Sequence, residues 1–268
     1  MPDRNAHTDE HPGRRRWARL AGIALVTAAV LGAAVLGWRW HRDLPVRRVV
    51  VAGADRAAPD SLKALARVDT GQALYALSPR LVADRAERHP WVRSASVSRR
   101  ADGTLRLAVE ERTPAALVLR DGAAVYYLGR DGYPLPHSDS SRAAAFDVPL
   151  VRGLDEPFQP MHPTDHEALR RLLDALNERS DARALVSEIR VGKRALRLRT
   201  VPPAGRARGA EVRLGTQGFP NKLRRLTAFW RQAVDEQPRT AFRTIDLRFD
   251  GQIVARQDSL APASTLDS

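Results

Sequence analysis

From Leu20 to Trp38 the chain runs through 19 residues without one charged side chain, LAGIALVTAAVLGAAVLGW, and nothing else in the sequence constrains the fold so strongly. As an α-helix rising about 1.5 Å per residue, the stretch is roughly 28 Å long, which matches the hydrocarbon core of a bilayer. Trp17, Trp38 and Trp40 stand near its two ends, where amphipathic rings prefer to lie, and Arg14, Arg15, Arg16, Arg19, Arg39 and Arg42 close both flanks. It exceeds the apolar core of a signal peptide and ends without a small-x-small cleavage site. A buried core helix alone at a terminus would not need to be apolar on every face. The expectation is a single-pass transmembrane helix over 20–38. Arginines on both sides leave the positive-inside count balanced, so orientation rests on size. The short tail, 1–19, stays in the cytoplasm and the long remainder is exported, which in a bacterium means a type II inner-membrane protein with its bulk in the periplasm. The tail has no apolar periodicity and is expected to be disordered.

Composition removes several classes of chemistry. With no cysteine there is no disulfide, zinc-cysteine site, iron–sulfur cluster or thiol nucleophile. The balance of 44 basic to 31 acidic residues gives a formal charge of +13, and all the cations except Lys63, Lys193 and Lys222 are arginine. These arginines recur singly along strands and on one helix face, as on a solvated surface, and the aromatic content of 6% is low for base stacking. Nucleic acid is therefore not expected as a partner. Of the seven histidines only His162 and His166 have a ligand-like i, i+4 spacing, and Pro163 with Thr164 between them marks a helix start, so no metal site is expected. The Ser138–Ser141 cluster lacks a G-x-S-x-G elbow, and adjacent Glu110 and Glu111 fall on opposite strand faces. There is no catalytic constellation and no phosphate-cradling glycine loop, so neither an enzyme nor a bound cofactor is expected.

The exported part divides in two by pattern. Val46–Val51 is a β-branched strand ending at Gly53, followed by short helices opening at Pro59 and at Ser78-Pro79, the second stopped by Pro90. Two alternating strands follow, 91–97 and 105–109, joined at Asp102-Gly103. The order is strand, helix, helix, strand, strand over 45–113. After Thr113-Pro114 come short strands with hairpin turns at Asp121-Gly122 and Asp131-Gly132 and a loop over 134–149. A helix capped at Thr164 buries Leu169, Leu172, Leu173 and Leu176. Three alternating strands lead to a helix opened by Pro220, with Leu223, Leu226, Trp230 and Val234 inward and Lys222, Arg224, Arg225 and Arg231 outward. Ile245, Leu247 and Phe249 then alternate with Asp246 and Arg248, turn at Asp250-Gly251 and return through Ile253–Arg256. The fold class is α+β: a βααββ domain, then a mostly antiparallel β domain with flanking helices over 114–257 and a disordered tail over 258–268. A terminal strand has no later strand to cover it, so the last hairpin is the expected free edge.

Three stretches carry a family resemblance. His89-Pro-Trp-Val92 is followed by Ala95-Ser-Val-Ser-Arg99, Thr104-Leu105 and Val109-Glu-Glu-Arg-Thr-Pro-Ala115; Asn221-Lys-Leu-Arg-Arg-Leu226 comes next; Ile245-Asp-Leu-Arg-Phe249 closes the series. In order and spacing they resemble the FtsQ/DivIB family of bacterial cell-division proteins from the anchor to about Arg256. The resemblance implies a polypeptide-transport-associated (POTRA) domain over 45–113 and the family's β domain over 114–257. It implies a non-enzymatic scaffold at the division septum that binds FtsB and FtsL through the β domain and other divisome proteins through the POTRA domain and membrane segment. Carried over residue by residue, the implied partner-binding positions are Arg248, Phe249, Asp250, Gly251, Ile253, Val254 and Arg256. Phe249 stands where the family commonly has tyrosine, and Arg100-Ala-Asp-Gly103 replaces the family's R-x-W-P. The competing readings are a POTRA factor in polypeptide export or outer-membrane assembly, which calls for tandem POTRA repeats or a β-barrel, and a tethered envelope hydrolase, which calls for an acid–base or metal site.

Overall fold

The structure is a computed structural model that describes residues 12–42, 44–137, 146–203, 208–235 and 242–257. Helix α1 (Pro12–Arg42) contains the whole charge-free stretch. It begins at Pro12, so residues 12–19 are helical and not the unstructured tail expected there. Proline suits the first helical position and the arginines after it are good helix formers. The described side chains of 20 and 22–38 are all exposed, from Val35 at 55% to Leu25 at 75% among the large apolar ones. Taking the described residues alone, no helix is long and apolar enough to cross a membrane. Residues 1–11 and 258–268 lie outside the described residues, as does the middle half of the expected 134–149 loop, 138–145.

Two sheets follow. The first contains β1 (Arg48–Ala52), β2 (Val92–Arg99) and β3 (Thr104–Glu111) in the order β1-β3-β2, with α2 (Pro59–Ala66) and α3 (Pro79–Ala86) between β1 and β2 in the chain. β1 runs parallel to β3, which pairs antiparallel with β2. The expected βααββ order is therefore the observed one. Ser78 caps α3 by accepting from Leu81 N–H, and Pro79 occupies the first turn. Its core buries Val46, Leu62, Leu74, Val82, Leu105 and Leu107.

The second sheet has nine strands. These are β4 (Pro114–Arg120), β5 (Ala123–Gly129), β6 (Pro134–Pro136), β7 (Leu150–Arg152), β8 (Val186–Val191), β9 (Leu196–Thr200), β10 (Glu211–Gly215), β11 (Phe242–Asp246) and β12 (Val254–Gln257). Their order is β12-β11-β10-β9-β8-β7-β4-β5-β6. Five pairings are antiparallel and three, β4–β7, β7–β8 and β10–β11, are parallel. Helices α4 (Glu167–Glu178), α5 (Ser180–Ala184) and α6 (Phe219–Trp230) share one core with the sheet's inner face. Leu169, Leu172, Leu173 and Leu176 of α4 and Leu223, Leu226 and Trp230 of α6 meet Val118, Val151, Ile189, Leu198, Val212 and Ile245 there. Each such leucine contributes about 1.5–3 kcal/mol by leaving water. The opposite face is wet, and its pairing sets Arg152, Arg190, Arg197 and Arg213 in register across four strands.

Three local expectations are corrected. The cap of α4 is His166, whose Nδ1 accepts from Leu169 N–H at 3.1 Å, while Thr164 Oγ1 instead accepts from His166 N–H. The segment expected to loop out from 134 starts with β6, paired to β5. Lys222 points inward, because its aliphatic stem lies beside the apolar stripe and its Nζ donates to Leu214 O at 2.7 Å.

The two sheets are joined through a shared apolar cluster. Trp91, Val92, Leu107 and Val109 of the first module pack with Tyr127 and Leu135 of the second, and Phe146 packs against Trp91 and Tyr127. Arg112 adds an ion pair to Asp131 at 3.1 Å and lies 4.2 Å over the Tyr133 ring.

Candidate functional site

A sheet binds a partner most readily through an unpaired edge. Among the described residues, β12 is paired on one side only, to β11, through Thr244–Arg256, Ile245–Ala255 and Asp246–Val254. The far edge of the same sheet is β6, Pro-Leu-Pro, whose prolines have no N–H to offer a newcomer. On the outer edge of β2, the Ala95 N–H is already taken by the Glu87 carboxylate at 2.9 Å. Among the described residues the β12 edge carries no such block; β1 is likewise paired on one side only, to β3.

The approach to this edge differs from the tight hairpin expected. β11 stops at Asp246, and Leu247–Ile253 form a seven-residue connection before β12 starts at Val254. Two side chains account for it. Asp246 Oδ1 accepts from the backbone N–H of Arg248 at 3.1 Å, and its carboxylate also takes the Arg248 guanidinium in a bidentate grip of 2.6 to 3.1 Å. From α6, Arg225 donates to the carbonyls of Leu247, Phe249 and Gln252 at 3.2, 3.0 and 3.3 Å. Carbonyls bound to a guanidinium do not join a strand ladder, so pairing ends where Arg225 begins. The Arg248 hydrogen bond, as the largest cause, holds the Asp246 carboxyl below the usual carboxylate range. Burial pulls the Lys222 ammonium below its ordinary value.

Of the seven expected positions, only Val254 and Arg256 are on β12 itself. Arg248, Phe249, Asp250 and Gly251 are exposed on the connection, while Ile253 is half-buried against the large core. Phe249 is 52% exposed and Val254 44%, an apolar pair at the open edge. Arg248 is committed to Asp246. Sequence inspection placed Arg225 on the outer face and so missed its grip on the connection. The signal was the Asn221–Leu226 stretch, in which Lys222 and Arg225 stand one helical turn apart beside the buried Leu223 and Leu226.

Among the described residues no group of three or more His, Asp or Glu could hold a metal ion. A cleft of about 630 Å³ at the junction of the sheets is lined by Arg93, Glu110, Glu111, Arg112 and Asp131, among others. Arg130, Asp174 and Glu178 line it as well, and burial with the neighbouring Glu178 pushes the Asp174 carboxyl up, while other charges there are paired. Arg93 pairs with Glu110 at 3.5 Å, Arg112 with Asp131, and Glu111 accepts the backbone N–H groups of Asp55, Arg56 and Ala57.

Comparison with known proteins decides the family. Residues 44–112 match the model of the POTRA domain, FtsQ-type, and residues 113–256 match that of FtsQ/DivIB, C-terminal related. The cell division protein FtsQ of Rhodothermus marinus is 44% identical, over 97% of this chain and 96% of its own length. The chain belongs to the FtsQ/DivIB family. FtsQ of Salinibacter ruber is also 44% identical, over 90% of this chain and 94% of that one, and FtsQ of Anaeromyxobacter sp. is 35% identical over 81% and 76%. The resemblance carried by the three motif stretches is thus borne out, and with it a place among the cell-division proteins. The FtsQ-like motifs acquire physical roles here. In Val109–Ala115, Glu111 ties down the loop after β1, Arg112 bridges the two modules, and Pro114 opens β4. In Asn221–Leu226, Lys222 and Arg225 hold the ends of β10 and β11.

Proposed function

We propose that this chain is a membrane-anchored, non-enzymatic scaffold of the bacterial divisome, whose β domain binds FtsB and FtsL by accepting a strand at β12. In this reading 20–38 is the anchor, 1–19 the cytoplasmic side, 45–113 the POTRA domain, 114–257 the β domain and 258–268 a tail, with the bulk in the periplasm at the septum. Support for the anchor is the charge-free sequence and the exposure of Leu20, Ile23, Val26, Val30 and Leu36 on a single helix, which in water would be a large unfavourable apolar surface. The observation that carries the binding site is the unpaired β12 edge, with Phe249 exposed on the connection that leads into it. The contact residues are Arg248, Phe249, Asp250, Gly251, Ile253, Val254 and Arg256, of which Val254 and Arg256 flank the incoming strand and Phe249 packs on its apolar side chains.

The test is Phe249→Lys, measured for binding to the FtsB–FtsL pair of the same organism. Replacing the exposed ring by a charge is expected to lower affinity at least tenfold, as for a buried aromatic anchor, with an unchanged circular dichroism spectrum because the ring supports no core contact. Unaltered affinity would remove the edge-strand proposal.

A further inference from the structure

The POTRA domain has two chemically different ends, and the chain's own connectivity says which one faces the anchor. Helix α1 ends at Arg42, and Leu44 is already part of the domain core. Two residues span at most about 7 Å, so whatever surrounds Leu44 lies against the surface from which α1 emerges. Leu44 O accepts from Leu74 N–H, Val46 bonds to Gln72 O and Gly71 N–H, and Arg47 N–H donates to Gly103 O. The segment 71–75 and the β2–β3 turn therefore share this end. Topology agrees, since the parallel β1–β3 pair and the antiparallel β2–β3 pair bring the start of β1, the start of β3 and the end of β2 together.

The charge at this end is one-sided. Among the described residues, Arg47, Arg48, Arg67, Arg99 and Arg100 stand there against Asp69 and Asp102. Asp102 is occupied by the Thr104 N–H at 2.9 Å, with Arg48 and Arg100 nearby. Tyr75 supplies a half-buried ring with the Arg99 guanidinium 5.5 Å over its centre. Interfacial aromatic rings and arginines within a Debye length of a surface, about 8 Å at physiological salt, favour anionic headgroups.

Resting on the anchor reading above, we propose that this end of the POTRA domain is a docking surface for the anionic lipid headgroups around the anchor, with Arg47, Arg48, Arg99 and Arg100 as the contacts and Tyr75 at headgroup level. Headgroup contact would hold the domain down on the bilayer.

The experiment uses the full chain reconstituted into vesicles of phosphatidylcholine, with or without about 30% phosphatidylglycerol, and follows amide hydrogen exchange at 70–77 and 99–104. Exchange there is expected to slow about fivefold in the anionic vesicles, and the difference is expected to vanish in high salt and in the Arg47→Gln, Arg48→Gln, Arg100→Gln variant. Protection at Leu105 and Leu107 reports whether that variant is folded; if it is not, the lipid and salt comparisons on the unaltered chain still decide. Equal exchange in both lipids, with the chain resistant to alkaline extraction, overturns the docking surface and leaves the anchor standing. Release by alkali overturns both.

Discussion

At the scale of single residues, Arg225 determines how the open edge is presented. Its guanidinium gathers three carbonyls that would otherwise be free to pair or to wander, and Leu247, which provides one of them, is fully buried. Hydrogen bonds from a charged donor contribute about 1.5–3 kcal/mol each when buried, and less where solvent competes, as at Phe249 and Gln252. Arg225→Ala is therefore expected to cost about 2 kcal/mol in urea denaturation and to weaken FtsB–FtsL binding by the still-folded protein. Arg225→Lys, a point donor that cannot fork to three acceptors, is expected to restore stability more fully than affinity. If Arg225 only stabilised the fold, affinity would be unchanged in both variants once the folded fraction is taken into account. The same reasoning explains why Arg248, Asp246 and Arg225 were illegible as a unit. Alternation along 245–249 describes a strand correctly up to Asp246, but nothing in the alternation says that a helix 20 residues upstream will capture the next carbonyls.

At the scale of elements, legibility followed the period of the pattern. The stripes Leu169, Leu172, Leu173, Leu176 and Leu223, Leu226, Trp230 are buried as their 3.6-residue spacing requires, and the arginines of β9 face water as a two-residue spacing requires. The parallel β4–β7, β7–β8 and β10–β11 pairings were not legible, because inward–outward alternation is the same whichever way the neighbour runs. Turns divide similarly. Asp121 and Gly122 both have positive φ, 51° and 85°, the two-residue hairpin their identities specify. At Asp131-Gly132 only the glycine does, and Gly132 is pressed against Arg170. A Cβ at Gly122 meets nothing, so Gly122→Ala is expected to cost only the backbone term, about 1 kcal/mol. A Cβ at Gly132 would come 2.9 Å from the Arg170 side chain near the start of α4, so Gly132→Ala is expected to cost about 2 kcal/mol, the backbone term plus repacking. Chemical denaturation of the two variants reads the difference, and equal losses would mean that the second turn is as free of its surroundings as the first.

At the scale of the whole molecule, the order of parts separates the POTRA junction from the edge. The POTRA domain meets the β domain at Trp91, Tyr127, Leu135 and Phe146, beside β4, β5 and β6, whereas β12 is the opposite end of the sheet. Six strand spacings of about 4.8 Å carry the edge roughly 29 Å across the sheet from β4. A strand added at β12 would therefore leave the junction in place. On the scaffold reading proposed above, removal leaves chromosomes replicating and separating while the septum is not assembled. Depletion is expected to give long filaments with segregated nucleoids, scored by cell length and DNA staining. Re-expression of the Phe249→Lys chain is expected to leave the filaments, since that variant keeps the anchor and the POTRA domain while losing the edge, and the unaltered chain is expected to restore division. Depleted cells that divide normally but lose outer-membrane proteins would assign the chain to polypeptide export instead. Full rescue by Phe249→Lys would keep the division role and move the partner contact away from β12.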